Sequence, residues 1–70
     1  MTYYLEIKTA DGDTITKPYR TLSGATNAGC RKFKVPGYQA VNRTEGSYPC
    51  VLHVVAEWKR DGAWIGRVWS

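Results

Sequence analysis

The sequence predicts an α+β fold: a single small domain, residues 1–70, with one helix packed on one face of a mostly antiparallel sheet of four to five strands. The predicted order of elements is ββαβββ. Three observations support it. Short β-type segments alternate with turn sequences, one central segment has apolar residues at helical spacing, and the chain of 70 residues is 43% apolar with three tryptophans. This is enough apolar surface for one small core.

The first two strands form a predicted hairpin. Residues 3–9 alternate between two sets of side chains, which indicates a strand with one face toward a core. The Asp-Gly-Asp triplet at 11–13 predicts a turn, and the β-branched residues after it predict a second strand over 14–20. Because Pro18 cannot donate a hydrogen bond to a neighbouring strand, this second strand is expected either to lie at a sheet edge or to end at Pro18.

The segment LSGATNAGCRKFK, residues 22–34, is the predicted helix. Ser23 is the predicted N-cap, and Pro36-Gly37 is expected to end the helix. The small residues on its apolar face would let the helix lie close to a sheet. That face carries Leu22, Ala25, Gly29 and Phe33, with Ala28 at its edge.

The last third of the chain predicts a long hairpin, after a third strand over 38–44. Its two strands cover residues 50–58 and 63–69, and Asp61-Gly62 between them is a strong two-residue turn signal. A regular ladder closed by that turn would place Trp58 opposite Ile65.

Both faces of this predicted hairpin are apolar, which is unusual for an antiparallel strand pair with one solvated face. We expect the first face to lie under the helix and the second to contact a partner. If the helix covers the second face instead, the assignments swap, and Trp58, Ile65, Arg67 and Trp69 become the exposed set. The first face contains Leu52, Val54, Ala56, Trp58, Ile65 and Trp69, and the second contains Val51, Val55, Trp64 and Val68.

No arrangement of residues predicts catalysis, a metal site or a cofactor. The only histidine, His53, is three residues from Cys50, so the two side chains would point to opposite faces of a strand. Two cysteines and one histidine do not supply a tetrahedral metal site. A disulfide between Cys30 and Cys50 is left open, although the absence of an export signal favours free thiols.

The formal net charge of +4 is compatible with a nucleic acid or an acidic protein as partner. Arg31, Lys32 and Lys34 lie at the predicted helix C-terminus, where cations interact favourably with the helix dipole. Alternatively they join the basic residues of the final hairpin in one basic surface.

The chain is small, forms one domain, is rich in aromatic residues and has no catalytic motif. In these respects it resembles the small accessory proteins of phages and mobile elements, anti-CRISPR proteins among them. That resemblance implies a non-enzymatic inhibitor that occludes a host protein or nucleoprotein complex. Trp64 is the expected centre of its docking surface, since tryptophan and arginine dominate binding hot spots. The expected partner-binding residues are Trp64, Lys59, Val55, Val68, Arg67 and Arg60.

The alternative function is a small nucleic-acid-binding regulator that contacts phosphates. The residues expected to make those contacts are Arg31, Lys34, Lys59, Arg60 and Arg67. With neither a leader sequence nor an apolar stretch long enough to span a membrane, we expect a cytoplasmic protein without a membrane partner. Stacking of two apolar sheet faces would make a homodimer a further alternative.

Overall fold

Five strands and one helix follow one another in the predicted order, which confirms the α+β fold. The computed structural model describes residues 1–70. The elements are β1 (Tyr3–Lys8), β2 (Thr14–Tyr19), α1 (Leu22–Phe33), β3 (Gln39–Glu45), β4 (Leu52–Arg60) and β5 (Ala63–Trp69). No helix has the length and apolar character needed to cross a membrane.

All five strands belong to one antiparallel sheet, in the order β2-β1-β5-β4-β3. Strand β2 lies at one edge and continues past Pro18 to Tyr19, which is the first of the two alternatives expected from Pro18, and β3 lies at the other edge. The last strand of the chain, β5, is therefore central, and it joins the N-terminal hairpin to the C-terminal one. The turn between β1 and β2 and the turn between β4 and β5 consequently lie at the same end of the sheet.

The N-cap of helix α1 lies two residues earlier than the sequence predicted. Thr21, not Ser23, is the N-cap: its backbone is extended, and its Oγ1 accepts a hydrogen bond from the Gly24 amide at 3.0 Å. Both residues are good caps, but Ser23 already has helical backbone geometry inside the first turn. The helix ends at Phe33 because Lys34 adopts the left-handed conformation, two residues before the predicted stop at Pro36.

The helix lies against β1, β2 and β5 through its predicted apolar face. The core between helix and sheet consists of buried side chains from both layers, Leu5, Ile7, Ala25, Ala56, Trp58 and Val68. Two glycines allow the close approach. A Cβ atom at Gly29 would overlap the Trp58 ring, and one at Gly66 would overlap the Phe33 ring.

The predicted turn of the final hairpin is confirmed. Asp61 and Gly62 both have positive φ, 55° and 83°, as a two-residue type I′ turn requires. Arg60 pairs with Ala63 and Lys59 with Trp64, as a regular ladder from that turn would give.

Two β-bulges then change the register. Ile65 is an extra residue in β5, so Trp58 pairs with Gly66 rather than with Ile65. Val55 is an extra residue in β4 and compensates for the first bulge, so that Val54 pairs with Trp69 as it would in a regular ladder from the turn.

The bulges overturn both predicted assignments of the hairpin faces. Ala56, Trp58 and Val68 share the face covered by the helix, although they were predicted on two different faces. Trp69 was predicted in the core under the helix, but it lies on the opposite face, beside Tyr4. Val55 and Ile65, the two bulge residues, are half-buried against the core.

Candidate functional site

The sheet face turned away from α1, called the helix-free face below, carries mainly charged and aromatic side chains. The prediction of an apolar second face was wrong, because the bulges turn its valines inward or aside. Four strands contribute to the helix-free face: Tyr4, Glu6 and Lys8 from β1, Arg43 and Glu45 from β3, Val54, Glu57 and Lys59 from β4, and Trp64, Arg67 and Trp69 from β5.

Arg67 lies at the centre of this face and pairs with two carboxylates. Its Nε donates a hydrogen bond to Glu6 Oε1 at 2.8 Å, and its Nη1 donates to Glu45 Oε1. Glu45 belongs to β3, so the Arg67 side chain reaches across β4. Burial alone would lower the pKa of Arg67, but the hydrogen bonds with Glu6 and Glu45 outweigh it and raise that pKa above its ordinary value.

Arg43 continues the network from Glu45 to Glu57. Its Nε lies 2.9 Å from Glu45 Oε2, and its Nη2 lies 3.0 Å from Glu57 Oε2. Lys59 Nζ lies 3.5 Å from the other Glu57 oxygen. Because Glu57 is only 2% exposed, these two cations replace the water that its carboxylate loses on folding.

The paired cations favour the charged forms of both carboxylates. The pKa of Glu45 is lowered chiefly by its hydrogen bond with Arg67, and Arg43 adds to this effect. Burial would raise the pKa of Glu57, but Arg43 and Lys59 together reverse that effect and hold the pKa below its ordinary value. The hydrogen bond with Glu57 is also the main reason that the pKa of Arg43 is raised.

Two aromatic rings end the network at β1. Trp69 stacks on Tyr4 with ring centroids 4.5 Å apart, and its indole Nε1 donates a hydrogen bond to Glu6 Oε1 at 3.1 Å. Trp69, Glu6, Arg67, Glu45, Arg43, Glu57 and Lys59 thus form one continuous polar chain. Fixed partners on both sides hold most of these side chains in one geometry.

Trp64, the predicted centre of the docking surface, lies on the helix-free face next to the hairpin turn. Lys8 Nζ and Arg67 Cζ each lie 4.8 Å from its ring centroid. The residue is half-buried, so part of its surface stays accessible to solvent. Cation–π contacts of this kind restrain an aromatic ring without covering it completely.

The other predicted partner-binding residues separate into two groups. Lys59 and Arg67 share the helix-free face with Trp64, and Arg60 is exposed beside the turn. Val68 is a correction: it has no exposed surface and lies in the core, so it cannot line a docking surface. Val55 is half-buried against that core as a bulge residue.

Five residues of this surface were not predicted from the sequence: Glu6, Lys8, Arg43, Glu45 and Glu57. The alternation in β1 was the available signal, because it places Glu6 and Lys8 opposite the core residue Leu5. What the alternation could not show is that β1 lies beside β5. Only that neighbour relation brings the two side chains to Arg67 and Trp64.

The protein's net positive charge lies outside the ion-pair network. Three of the ten basic residues, Arg43, Lys59 and Arg67, are paired with three of the six acidic residues. The remaining seven cations have no ion-pair partner. Among the predicted phosphate-contacting residues, Arg31, Lys34 and Arg60 belong to this unpaired group, whereas Lys59 and Arg67 already bind carboxylates.

Four of the unpaired cations surround a groove near the turns, called the basic groove below. It consists of two adjoining depressions of about 370 and 360 Å³ that share Ile7, Lys8, Thr9, Ala10 and Lys32. Ile15 and Lys17 complete the first depression. Phe33, Arg60 and Ile65 complete the second.

The cysteines are both free thiols: Cys30 is half-buried against the core, and Cys50 is exposed. No three His, Cys, Asp or Glu side chains come together as a potential metal site. Comparison with protein-family models, curated proteins and solved structures found no match to this chain. The helix-free face and the basic groove are therefore the two candidate sites of this protein.

Proposed function

We propose that this protein is a small non-enzymatic binding module that inhibits a host protein or nucleoprotein complex by covering part of its surface. Its resemblance in size and aromatic-rich composition to phage and mobile-element accessory proteins suggests a defence complex as the target. The helix-free face around Trp64 and the tip of the β4–β5 hairpin would make the contact. Inhibition would be stoichiometric, with one copy of the protein bound to each target and no covalent bond formed or broken.

The half-buried Trp64, with Lys8 and Arg67 both in contact with its ring, is the observation that carries this proposal. Tryptophan and arginine supply much of the energy of known interfaces, and side chains already restrained before binding lose less entropy on docking. Arg67 is fixed by Glu6 and Glu45, and Trp64 in turn rests on Arg67. The surface is therefore preorganised for a partner.

The unpaired cations favour an acidic or nucleic-acid-binding target. An acidic protein surface and the nucleic acid held by a nucleoprotein complex both attract a basic ligand over a distance. Arg60, exposed at the hairpin tip and without an ion pair, is placed to steer such an encounter.

The test is a pulldown from host lysate with wild-type protein and with Trp64→Ala, each with and without nuclease. We expect a protein partner that survives nuclease treatment and binds Trp64→Ala more weakly by at least about 1 kcal/mol, the threshold typical of a hot-spot residue. Tyr48→Ala is the matched control, because Tyr48 is an exposed aromatic residue in a distant loop. Circular dichroism of each variant reports whether the fold is retained.

Equal capture by the wild type and a folded Trp64→Ala variant would remove Trp64 from the interface and contradict the proposal. Recovery of nucleic acid alone, abolished by nuclease, would favour the second candidate, a phosphate-contacting regulator. The seven unpaired cations are the observation that supports this candidate. Its affinity would fall steeply with salt, because each phosphate contact releases a counterion.

A further inference from the structure

We propose that the basic groove binds an acidic peptide segment of the partner through one aliphatic side chain and the carboxylates that flank it. This inference rests on the binding function proposed above, and it specifies the chemical nature of the partner. The groove and Trp64 lie on opposite faces of the sheet, near the end that carries the two hairpin turns. Lys8 lines the groove, but its ammonium lies 4.8 Å from the centroid of the Trp64 ring on the other face.

Aliphatic side chains form the floor of the basic groove. Ile15 lies on the helix-covered face of edge strand β2 but remains 50% exposed, since the helix does not extend over it. Ile7 beside it is almost fully buried and continues into the core. A depression of about 370 Å³ lies at the small end of the range for ligand pockets, which suits a single aliphatic side chain.

The rim of the groove is positively charged on several sides. Lys17, Lys32 and Arg60 come from β2, the last turn of α1 and the hairpin tip. All three are exposed, and none has an ion-pair partner within the chain. A peptide with carboxylates on both sides of its anchoring side chain would meet a cation in either direction.

A nucleic-acid strand fits the groove less well than a peptide does. Single-stranded binding sites usually offer an open aromatic face on which bases stack. Phe33, the aromatic residue of the groove, packs against Gly66 and Trp58, and Trp64 lies on the other face of the sheet.

The experiment is an NMR titration of the ¹⁵N-labelled protein with three defined probes. They are a peptide of alternating Asp and Leu, a peptide of equal length with alternating Asp and Gly, and a thymidine oligonucleotide of matched charge. We expect the Asp-Leu peptide to bind at least about tenfold more tightly than the other two, as burial of one leucine predicts. Its shifts should be confined to the residues of the basic groove.

Two charge variants of equal net charge complete the design. Lys17→Gln with Lys32→Gln removes two rim cations, and we expect it to weaken binding of the Asp-Leu peptide several-fold. Arg20→Gln with Arg31→Gln removes two exposed cations outside the groove, and should leave that affinity within about twofold of wild type. The amide spectrum of each variant shows whether it is folded.

Equal affinity for the Asp-Leu and Asp-Gly peptides, preference for the oligonucleotide, or shifts outside the groove would overturn the proposal. So would equal effects of the two double variants. The Trp64 proposal is tested separately by the pulldown, because none of these probes requires the helix-free face. Failure of the groove and failure of the docking surface are therefore distinguishable.

Discussion

Gly29 and Gly66 set the distance between helix and sheet. Gly29 leaves room for the Trp58 ring, and Gly66 leaves room for the Phe33 ring, so each glycine accommodates an aromatic ring from the opposite layer. Trp58 can then be almost fully buried under a short helix. A glycine inside a helix lowers helix stability by about 1 kcal/mol relative to alanine, so this packing has to offset that cost.

Gly29→Ala should therefore destabilise the protein, although alanine is the better helix former. The added Cβ overlaps the Trp58 ring, and overpacking of this kind costs about 1–3 kcal/mol. Asn27→Ala is the control, because Asn27 is exposed on the same helix and the change alters propensity alone. Urea denaturation should give a lower midpoint for Gly29→Ala and an unchanged or higher one for Asn27→Ala. Equal or greater stability of Gly29→Ala would refute the close helix–sheet contact.

Trp64 shows how a single residue can remain accessible and still be ordered. It is paired with Lys59 in the ladder, and its ring contacts cations from two other positions, Lys8 and Arg67. None of these neighbours belongs to the apolar core. Its truncation should therefore affect binding more than folding.

At the level of elements, the final hairpin explains which predictions held and which failed. Three predictions depended on local signals. Alternation indicated the strands, Asp-Gly indicated the type I′ turn, and Pro18 was consistent with the edge position of β2. The bulges at Val55 and Ile65 carry no such local signal. Each inserts one residue, and a one-residue shift exchanges the two faces of a strand. For this reason Val68 moved from the predicted surface to the core, and Trp69 moved the other way.

The candidate site was predictable only in part, for a similar reason. Trp64 and Lys59 could be placed opposite each other because the turn fixes the residues nearest to it, whereas Arg67 lies beyond the bulge at Ile65. The ionic partners of Arg67, Glu6 and Glu45, belong to β1 and β3, far away in sequence. Strand order determines those contacts, and a single sequence does not specify strand order. The ion-pair partners that β1 and β3 supply therefore lie on a face that was expected to be an apolar patch.

For the whole molecule, the ion-pair network connects β1, β5, β4 and β3 across the helix-free face. The core connects most of the same sheet to α1 on the other face. A chain of 70 residues has a limited core, so the network is an important second set of contacts between distant strands. The same pairing leaves the surplus cations free on the surface.

This arrangement predicts sensitivity to acid. Glu45 and Glu57 have pKa values below the ordinary glutamate value of 4.5, so their ion pairs stabilise the fold fully above that pH. The contribution is lost as the pH falls through the lower folded-state pKa values. The free energy of unfolding, measured by urea denaturation between pH 7 and pH 3, should decline below about pH 4.5.

Glu45→Gln should reduce the steepness of that decline, because one of the two titrating carboxylates is gone. Asp61→Asn is the control, since Asp61 makes no ion pair and asparagine also tolerates its left-handed backbone conformation. An acid limb of the same steepness in wild type and Glu45→Gln would show that Glu45 does not contribute to the acid sensitivity.

The most direct test of docking through the helix-free face uses the indole N–H signals of the three tryptophans, with the captured partner added in an ¹H–¹⁵N titration. Trp58 Nε1 is buried without an acceptor, Trp69 Nε1 is bonded to Glu6, and Trp64 lies at the accessible surface, so each signal reports a different region. We predict that the Trp64 signal shifts or broadens and that the Trp58 signal stays in place. An unchanged Trp64 signal, while amides of the helix or of strand β3 move, would contradict the account.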